Sequence, residues 1–325
     1  MDLLPDARQE ALAARARSLV AEADAPVLWD RWAENGWFDG GDGSTLVDHA
    51  LRFRELGRAL VPGPYLATVL ARRLVAAVGA VESGVELEAA AVVAALAVPC
   101  SPVSVTAVDG SPAGARLRGR LRVLDGTGAT HVLLVTPTGA ALIEADALPA
   151  GDATRCLDPQ VALTALTAAD VPAALWMGGG DLFTDAAVLA AACASGIAEA
   201  TLRASTDFAK TREQFGKPIG AFQAVKHRCA DMAIRAEAAW CQTAYAALCV
   251  DAERSDAAFQ AHTAKVVAGD AAIRNASANI QNHGAVGCTV ENDAHLFLKR
   301  AWVLEEVCGA RREHLSALLD LPAPE

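Results

Sequence analysis

The residues of this chain best suited to chemistry fall in two stretches. The first runs from Ser205 to Asp231, STDFAKTREQFGKPIGAFQAVKHRCAD; the second is Gln281-Asn282-His283-Gly284-Ala285-Val286-Gly287. In the first, Arg212 and Lys217 flank a loop built on Phe215, Gly216, Lys217, Pro218, Ile219 and Gly220. Gly216 and Gly220 permit backbone angles that other residues avoid, and Pro218 cannot continue a helix. The Arg212 guanidinium suits a pyrophosphate, because its fork donates two parallel hydrogen bonds. Gln223 and Gln281 offer amides for phosphate, ribose or backbone groups, while Gly284 and Gly287 allow close approach of the main chain. Taken without their neighbours, the same residues describe a solvated basic turn and two glutamines that cap or bridge helices.

Two helices must hold the first loop. Leu189, Cys193, Gly196, Ile197 and Ala200 recur at the helical period before it, and Val225, Cys229, Met232, Ala233, Ala236 and Trp240 do so after it, with the second helix starting at Phe222. A tight connection between two amphipathic helices makes them antiparallel neighbours.

The run Arg212-Glu213-Gln214-Phe215-Gly216-Lys217-Pro218-Ile219, followed by Phe222-Gln223, closely resembles the R-x-x-F-G-x-P-I-x-x-F-Q signature of acyl-CoA dehydrogenases. The resemblance continues through Ala230-Asp231-Met232 and into Gln281 to Gly287, which is similar to the family's Q-x-x-G-G-x-G turn with one glycine replaced. It implies that both motifs bind the ADP half of an FAD whose flavin ring lies mainly in a neighbouring subunit. The cofactor-contacting positions it implies are Arg212, Phe215, Gln223, Gln281, Gly284 and Gly287.

Composition narrows the remaining classes. The 325 residues carry 28 Lys and Arg against 39 Asp and Glu, a net charge of −11, with no basic block, which argues against nucleic acid. Eight scattered cysteines without a CxxC pair read as buried thiols of a reducing cytoplasm, and neither they nor the seven histidines show metal-ligand spacing. Met1 to Glu10 is polar, unlike a secretory signal, and the expected location is cytoplasmic. Ala89 to Val108 carries no charge but is interrupted by Pro99 and Pro102; it reads as a buried helix running into a strand rather than a membrane span.

The expected fold is α+β in three parts: an N-terminal helical domain (1–98), a middle antiparallel β domain (99–177) and a C-terminal four-helix bundle (178–325). In the first, Trp29, Trp32 and Trp37 read as core, Gly40 to Gly43 as a loop, and Ser44 as the N-cap of a following helix with Val47 in place of a capping-box acid. Glu55-Leu56-Gly57-Arg58-Ala59-Leu60-Val61-Pro62 resembles the family's E-L-G-x-A-x-x-P segment. In the second, Val103 to Val108, Leu117 to Val123, His131 to Thr136 and Ala141 to Ala145 are short runs separated by turn residues. In the third, helices are expected near 183–212, 222–251, 256–282 and 293–319. This is the acyl-CoA dehydrogenase order of domains, in a chain shorter than most members.

Family members remove an α-proton from an acyl-CoA with a carboxylate while hydride passes to the flavin. Such a base contributes roughly a hundred- to ten-thousandfold when held in reach and kept dry. The usual position, before the glycine that matches Gly309, holds Cys308, with Glu305 and Glu306 on other faces of the same helix. The second family position is Ala186, beside Asp185, and the nearby substrate arginine is matched by Ala187. Asp185 reads as a first-turn helix residue. The flavin-covering T-E-P-x-x-G-S-D segment is matched only by Val98-Pro99-Cys100-Ser101-Pro102.

The resemblance therefore implies a catalytically incomplete subunit of a heteromeric, α2β2, FAD-dependent acyl-CoA dehydrogenase, similar to small subunits that act on steroid side-chain CoA thioesters. It would complete the ADP side of its partner's FAD, with no catalytic residue and no metal of its own, and with the acyl-CoA bound mainly by the partner. Two alternatives stand beside it: a self-sufficient FAD dehydrogenase or oxidase using Asp185, Glu305 or Glu306 as base, and a non-enzymatic scaffold of the same fold.

Overall fold

Leu117, Leu121 and Val123 alternate with arginines along one strand, so one face of the strand must be buried and the other wet. The computed structural model, which describes residues 5–22, 24–38, 44–79, 89–100, 102–106, 115–322 and 324, bears this out, with those three residues in a core shared with Val132, Leu134 and Ile143. The strands are β1 (Ala94–Pro99), β2 (Ser104–Thr106), β3 (Arg116–Leu124), β4 (His131–Thr136), β5 (Gly139–Glu144), β6 (Asp152–Thr154), β7 (Leu163–Pro172) and β8 (Leu175–Gly178). They form one sheet in the order β6-β7-β3-β1-β4-β5-β8, with β2 beside β3.

The pairing is antiparallel except for β1 with β4, which run parallel with Leu96 opposite Leu133. The sheet is thus mixed where an antiparallel one was expected. The stretch from Ala89 is also not a helix: a single 3-10 turn, Ala89–Ala91, leads straight into β1. Alanine alone does not decide there, because Ala94 to Ala97 are paired and buried on both faces.

Helices α1 (Ala7–Glu22), α2 (Ala25–Glu34), α3 (Leu46–Arg58) and α4 (Tyr65–Gly79) precede the sheet. The cap of α3 is Thr45, not Ser44. Its hydroxyl accepts from the Asp48 backbone N–H while the Asp48 carboxylate accepts from the Thr45 N–H, a complete capping box. Trp32 and Trp37 are buried and meet edge to face at 4.8 Å. The glycines from 40 to 43 and the residues from 107 to 114 lie outside the described residues.

After the sheet come α5 (Asp181–Thr211), α6 (Gln223–Asp251), α7 (Ala257–His283), α8 (Ala294–Glu306) and α9 (Arg311–Asp320). The fourth bundle helix is therefore broken. The break falls at Cys308 and Gly309, both left-handed at φ 57° and 95°, which ends α8 and redirects the chain into α9. Helix α5 is long and apolar enough to cross a membrane, but 83% of its most apolar window is buried in the fold.

The chain divides into two compact units. One holds residues 24–44 and 62–186, that is, α2, α4, the sheet and the first residues of α5; the other holds 1–23, 45–61 and 187–325. In the second unit α3 and α5 cross at van der Waals limits: a Cβ on Gly57 would lie 2.0 Å from the Cys193 carbonyl oxygen, and one on Gly196 equally close to that of Arg54.

Candidate functional site

Three helix ends meet where the two motifs lie. The C-terminal turns of α5 and α7 are tied by Ser205, whose hydroxyl donates to Asn279 Oδ1 at 2.9 Å, and by Phe208, which stacks on His283. The start of α6 joins them through Arg228, donating to Asn282 Oδ1 at 2.8 Å. One turn deeper, the Asn275 amide donates to the Ala198 and Met232 carbonyls and its oxygen accepts from Arg235 Nε. Asn275, Asn279 and Asn282 are all buried on α7 at helical spacing. The sequence reading passed over this polar stripe; amides recurring along an otherwise apolar helix were the available signal.

The loop of the first motif is a miniature hairpin. Glu213–Gln214 pairs with Lys217–Pro218, leaving Phe215 and Gly216 as a two-residue turn with φ 53° and 77°. Positive φ at both central positions is what the twist of a two-residue hairpin demands. Gly216 adopts it freely, whereas Phe215 is strained by about 1–2 kcal/mol. The outcome is that Phe215 is 90% exposed, its ring perpendicular to that of Phe222 at 6.0 Å between centroids, with Lys217 Nζ over the Phe222 ring at 4.6 Å. Gly220 serves differently from the expected angular freedom: its α-carbon sits against α5, and a Cβ there would lie 2.9 Å from the Ala209 carbonyl oxygen.

Arg212 is exposed at the end of α5 with no ion pair among the described residues, and its backbone carbonyl accepts from Ile219 N–H, closing the hairpin. Gln223 is the exposed first residue of α6, and Gln281 is exposed on the last turn of α7. Gly284 ends α7 at φ 63°, ψ −142°, a conformation open essentially to glycine alone. Gly287 is buried, and a Cβ on it would lie 2.9 Å from the Ile280 carbonyl oxygen. The six motif residues thus share one end of the bundle, five of them exposed. A cleft of about 500 Å³ whose lining includes Ala209, Lys210, Pro218, Val225, Lys226 and Cys229 lies beside them.

The carboxylates considered as bases are arranged otherwise. Asp185 is buried and bound by Arg73 through Nε at 2.9 Å and a terminal nitrogen at 2.8 Å. Ala186 and Ala187 are buried. Cys308 is buried, and burial pushes its thiol up to about 12. Glu306 is exposed, while Glu305 is buried and accepts from Arg311 N–H at 3.2 Å. Burial raises the Glu305 carboxyl above its ordinary range, opposed by the nearby Lys265 ammonium. Lys265, unremarked in the sequence, is buried and donates to the carbonyls of Leu304, Glu305 and Gly309 at 3.0, 3.2 and 3.4 Å. It satisfies the open end of α8, and burial draws its own pKa down. Among the described residues no cluster of metal-ligating side chains occurs.

A mixed sheet joined in sequence to a helical bundle, with these motifs at one end of the bundle, is the architecture of a flavin-dependent dehydrogenase class, and comparison with known proteins bears on it directly. Residues 181–317 match the C-terminal domain of acyl-CoA dehydrogenases. The chain is 34% identical over 286 residues to the acyl-CoA dehydrogenase IpdE2 of Mycobacterium tuberculosis, covering 86% of this chain and 79% of that one. It is also 34% identical over 272 residues to the M. tuberculosis acyl-CoA dehydrogenase FadE34, where it spans 36% of the relative's length. Among solved structures, a chain of the ChsE4–ChsE5 complex from M. tuberculosis superposes with a TM-score of 0.80 at 27% identity, over 99% of this chain and all of that one. Butyryl-CoA dehydrogenase from Megasphaera elsdenii shares the fold at a TM-score of 0.78. The chain belongs to the acyl-CoA dehydrogenase family.

Proposed function

We propose that this chain is a catalytically incomplete subunit of a heteromeric, FAD-dependent acyl-CoA dehydrogenase, assembled as α2β2. It supplies the ADP-side contacts of an FAD held by a catalytic partner, in the cytoplasm. The observation that carries this reading is the joint exposure of Arg212, Phe215, Gln223, Gln281 and Gly284 at one end of the bundle, with the Arg212 fork in no ion pair among the described residues. Side chains that served this chain's own core would be buried or paired.

The donor set fits the group. Arg212 offers a planar fork to a pyrophosphate, Gln223 and Gln281 offer amides, and Gly284 leaves the main chain open to approach, while the buried Gly287 lets the following turn pack against Ile280. When bound, the flavin accepts the hydride of an α,β-desaturation. This chain's own residues hold and orient its nucleotide end, and the α-proton is left to the partner. Cys308, buried and held as a thiol, offers no base. Support for a partner comes from the similarity to the ChsE4–ChsE5 complex and, at 25% identity, to the Tcur3481–Tcur3483 steroid acyl-CoA dehydrogenase. An acyl group of steroid side-chain type is proposed on the same similarity.

The test is flavin content and acyl-CoA dehydrogenation for the chain alone and co-expressed with an acyl-CoA dehydrogenase encoded beside it. The expected result is no flavin alone, and about one FAD for every two chains in the active pair. Arg212→Ala in this chain should lower FAD retention while the pair still assembles. A yellow, active chain on its own overturns the reading and returns Asp185, Glu305 and Glu306 as candidates.

A further inference from the structure

A groove of about 190 Å³ lies between α6 and α7, near the middle of both helices, and the first residue of α9 contributes to its wall. Its charged groups are Arg235, Arg311 and Asp270, and its apolar surface comes from residues that include Ala238, Val266 and Ala271. Arg235 stands about 18 Å along α6 from Gln223 by the rise of a helix, so the groove is separate from the motif residues.

Arg235 is held in place from the core. Its Nε–H donates to Asn275 Oδ1 at 2.9 Å, and the buried Asn275 is itself fixed, its amide nitrogen donating to the Ala198 and Met232 carbonyls at 3.1 and 2.9 Å. The terminal nitrogens of Arg235 make no hydrogen bond or ion pair among the described residues. A solvated arginine needs no buried amide to orient it, whereas a binding fork does. The Arg311 guanidinium makes no ion pair among the described residues either, and Glu305, the carboxylate whose charge it feels, accepts from the Arg311 backbone N–H at 3.2 Å. Glu313 accepts from the Ala310 N–H at 2.9 Å. Asp270, the one acid in the groove's lining, is bound by Arg274 Nε at 2.8 Å. Both guanidinium forks therefore face the groove while the neighbouring carboxylates are engaged by other donors.

We propose that this groove binds a small carboxylate anion with a short branched apolar tail, its carboxylate held by Arg235 and Arg311 and its tail laid against Ala238, Val266 and Ala271. Arginine forks bind carboxylates in the plane with two hydrogen bonds, and a fork already fixed at Nε gives up less rotamer freedom on binding. A cavity of about 150 Å³ takes a ring of six carbons, so this groove admits an anion of that size. A nucleotide is excluded, because sites for larger ligands run to about 300 Å³ and above. Inorganic phosphate is disfavoured by the apolar wall, which would cover its oxygens without pairing them.

The experiment titrates isobutyrate into the full chain and follows saturation transfer from protein to its methyl resonances. Saturable binding is expected, with the neutral isostere isobutyramide weaker by about tenfold or more. Arg235→Gln should weaken isobutyrate by a similar factor, and so should Arg235→Lys, which keeps the charge but loses the fork and the bond to Asn275. Ala238→Leu should abolish binding by filling the groove. Ala238 is exposed on α6, so the larger residue leaves the core intact. The absence of saturable binding, or unchanged affinity in Ala238→Leu or Arg235→Gln, overturns the proposal. Full affinity in Arg235→Lys overturns it as well, since charge alone would then suffice, and so does tighter binding of inorganic phosphate than of isobutyrate.

Discussion

Phe208 stacks on His283 with ring centroids 4.2 Å apart and planes inclined by 25°, and through this contact the end of α5 is fixed against the end of α7. Arg212 and its hairpin follow Phe208 within a few positions, and within the second motif Gly284 and the 3-10 turn Gly284–Cys288 follow His283. The spacing between the motifs therefore depends on Phe208, one turn before Arg212, and on His283, which lies within the second motif. Phe208→Ala should lower the stability of the chain by about 1–3 kcal/mol, since the ring is half-buried and loses a stacked partner. Under the proposed function it should also lower FAD retention in the assembled pair by more than Phe208→Leu does. Urea unfolding and flavin absorbance check the two parts separately, and equal retention in both variants would remove the positioning role.

Phe215 makes a prediction of opposite sign. Its φ of 53° is unfavourable for an aromatic residue, and its ring, exposed to solvent, recovers little within this chain. Asparagine suits the first central position of such a hairpin far better. Phe215→Asn should therefore raise the unfolding free energy of the isolated chain by about 1 kcal/mol while weakening assembly with the partner or flavin retention. A thermal melt of the single chain and gel filtration of the pair distinguish these outcomes. A destabilised single chain would mean that the turn is not strained.

Why these particulars escaped the sequence is a matter of which interactions are local. The helices of the bundle were legible because their burial follows the 3.6-residue period, and the family motifs because they are contiguous. The break between α8 and α9 was not: the apolar pattern continues through it, and what stabilises the break is Lys265, distant in sequence and reaching three carbonyls from α7. Strand β7 was missed for a related reason. Leu163 to Pro172 is rich in Ala and Thr and shows no alternation of burial, so its membership of the sheet is decided by pairing with β3 rather than by its own pattern. Thr45 and Ser44 are both competent caps, and only the acid at Asp48, three residues after Thr45, selects between them.

Lys265→Met should destabilise the chain by about 3–5 kcal/mol, because three carbonyls lose their buried donor and Glu305 loses the cation beside it. The double variant with Glu305→Gln should fall short of the sum of the two single changes, since a neutral amide at that position no longer needs the cation. Urea unfolding of the four proteins gives the coupling directly. A Lys265→Met protein within about 1 kcal/mol of the parent would show that water replaces the ammonium and that the break is held by Cys308 and Gly309 alone.

The same turn carries a titration. His314 is buried on α9, with Nε2 at 2.9 Å from the Cys308 carbonyl oxygen and Nδ1 at 2.7 Å from His262 Nδ1. A carbonyl only accepts, so His314 Nε2–H donates. In the neutral ring Nδ1 then accepts, and His262 Nδ1–H is its donor. A second proton on His314 must enter a buried site, beside Lys265, and displace the His262 proton. Burial first, then Lys265 and His262, lower its pKa from 6.5 to about 4. The unfolded chain thus takes the proton before the folded chain does. The stability His314 contributes is full above about pH 6.5 and is lost as pH falls toward 4, by up to about 3 kcal/mol. His262, lowered by burial, adds a change of the same sign. His314→Gln keeps an N–H for the Cys308 carbonyl but cannot titrate, so its urea midpoint should fall less steeply between pH 7 and pH 4.5 than that of the parent. Parallel slopes for the two proteins would assign the acid sensitivity elsewhere.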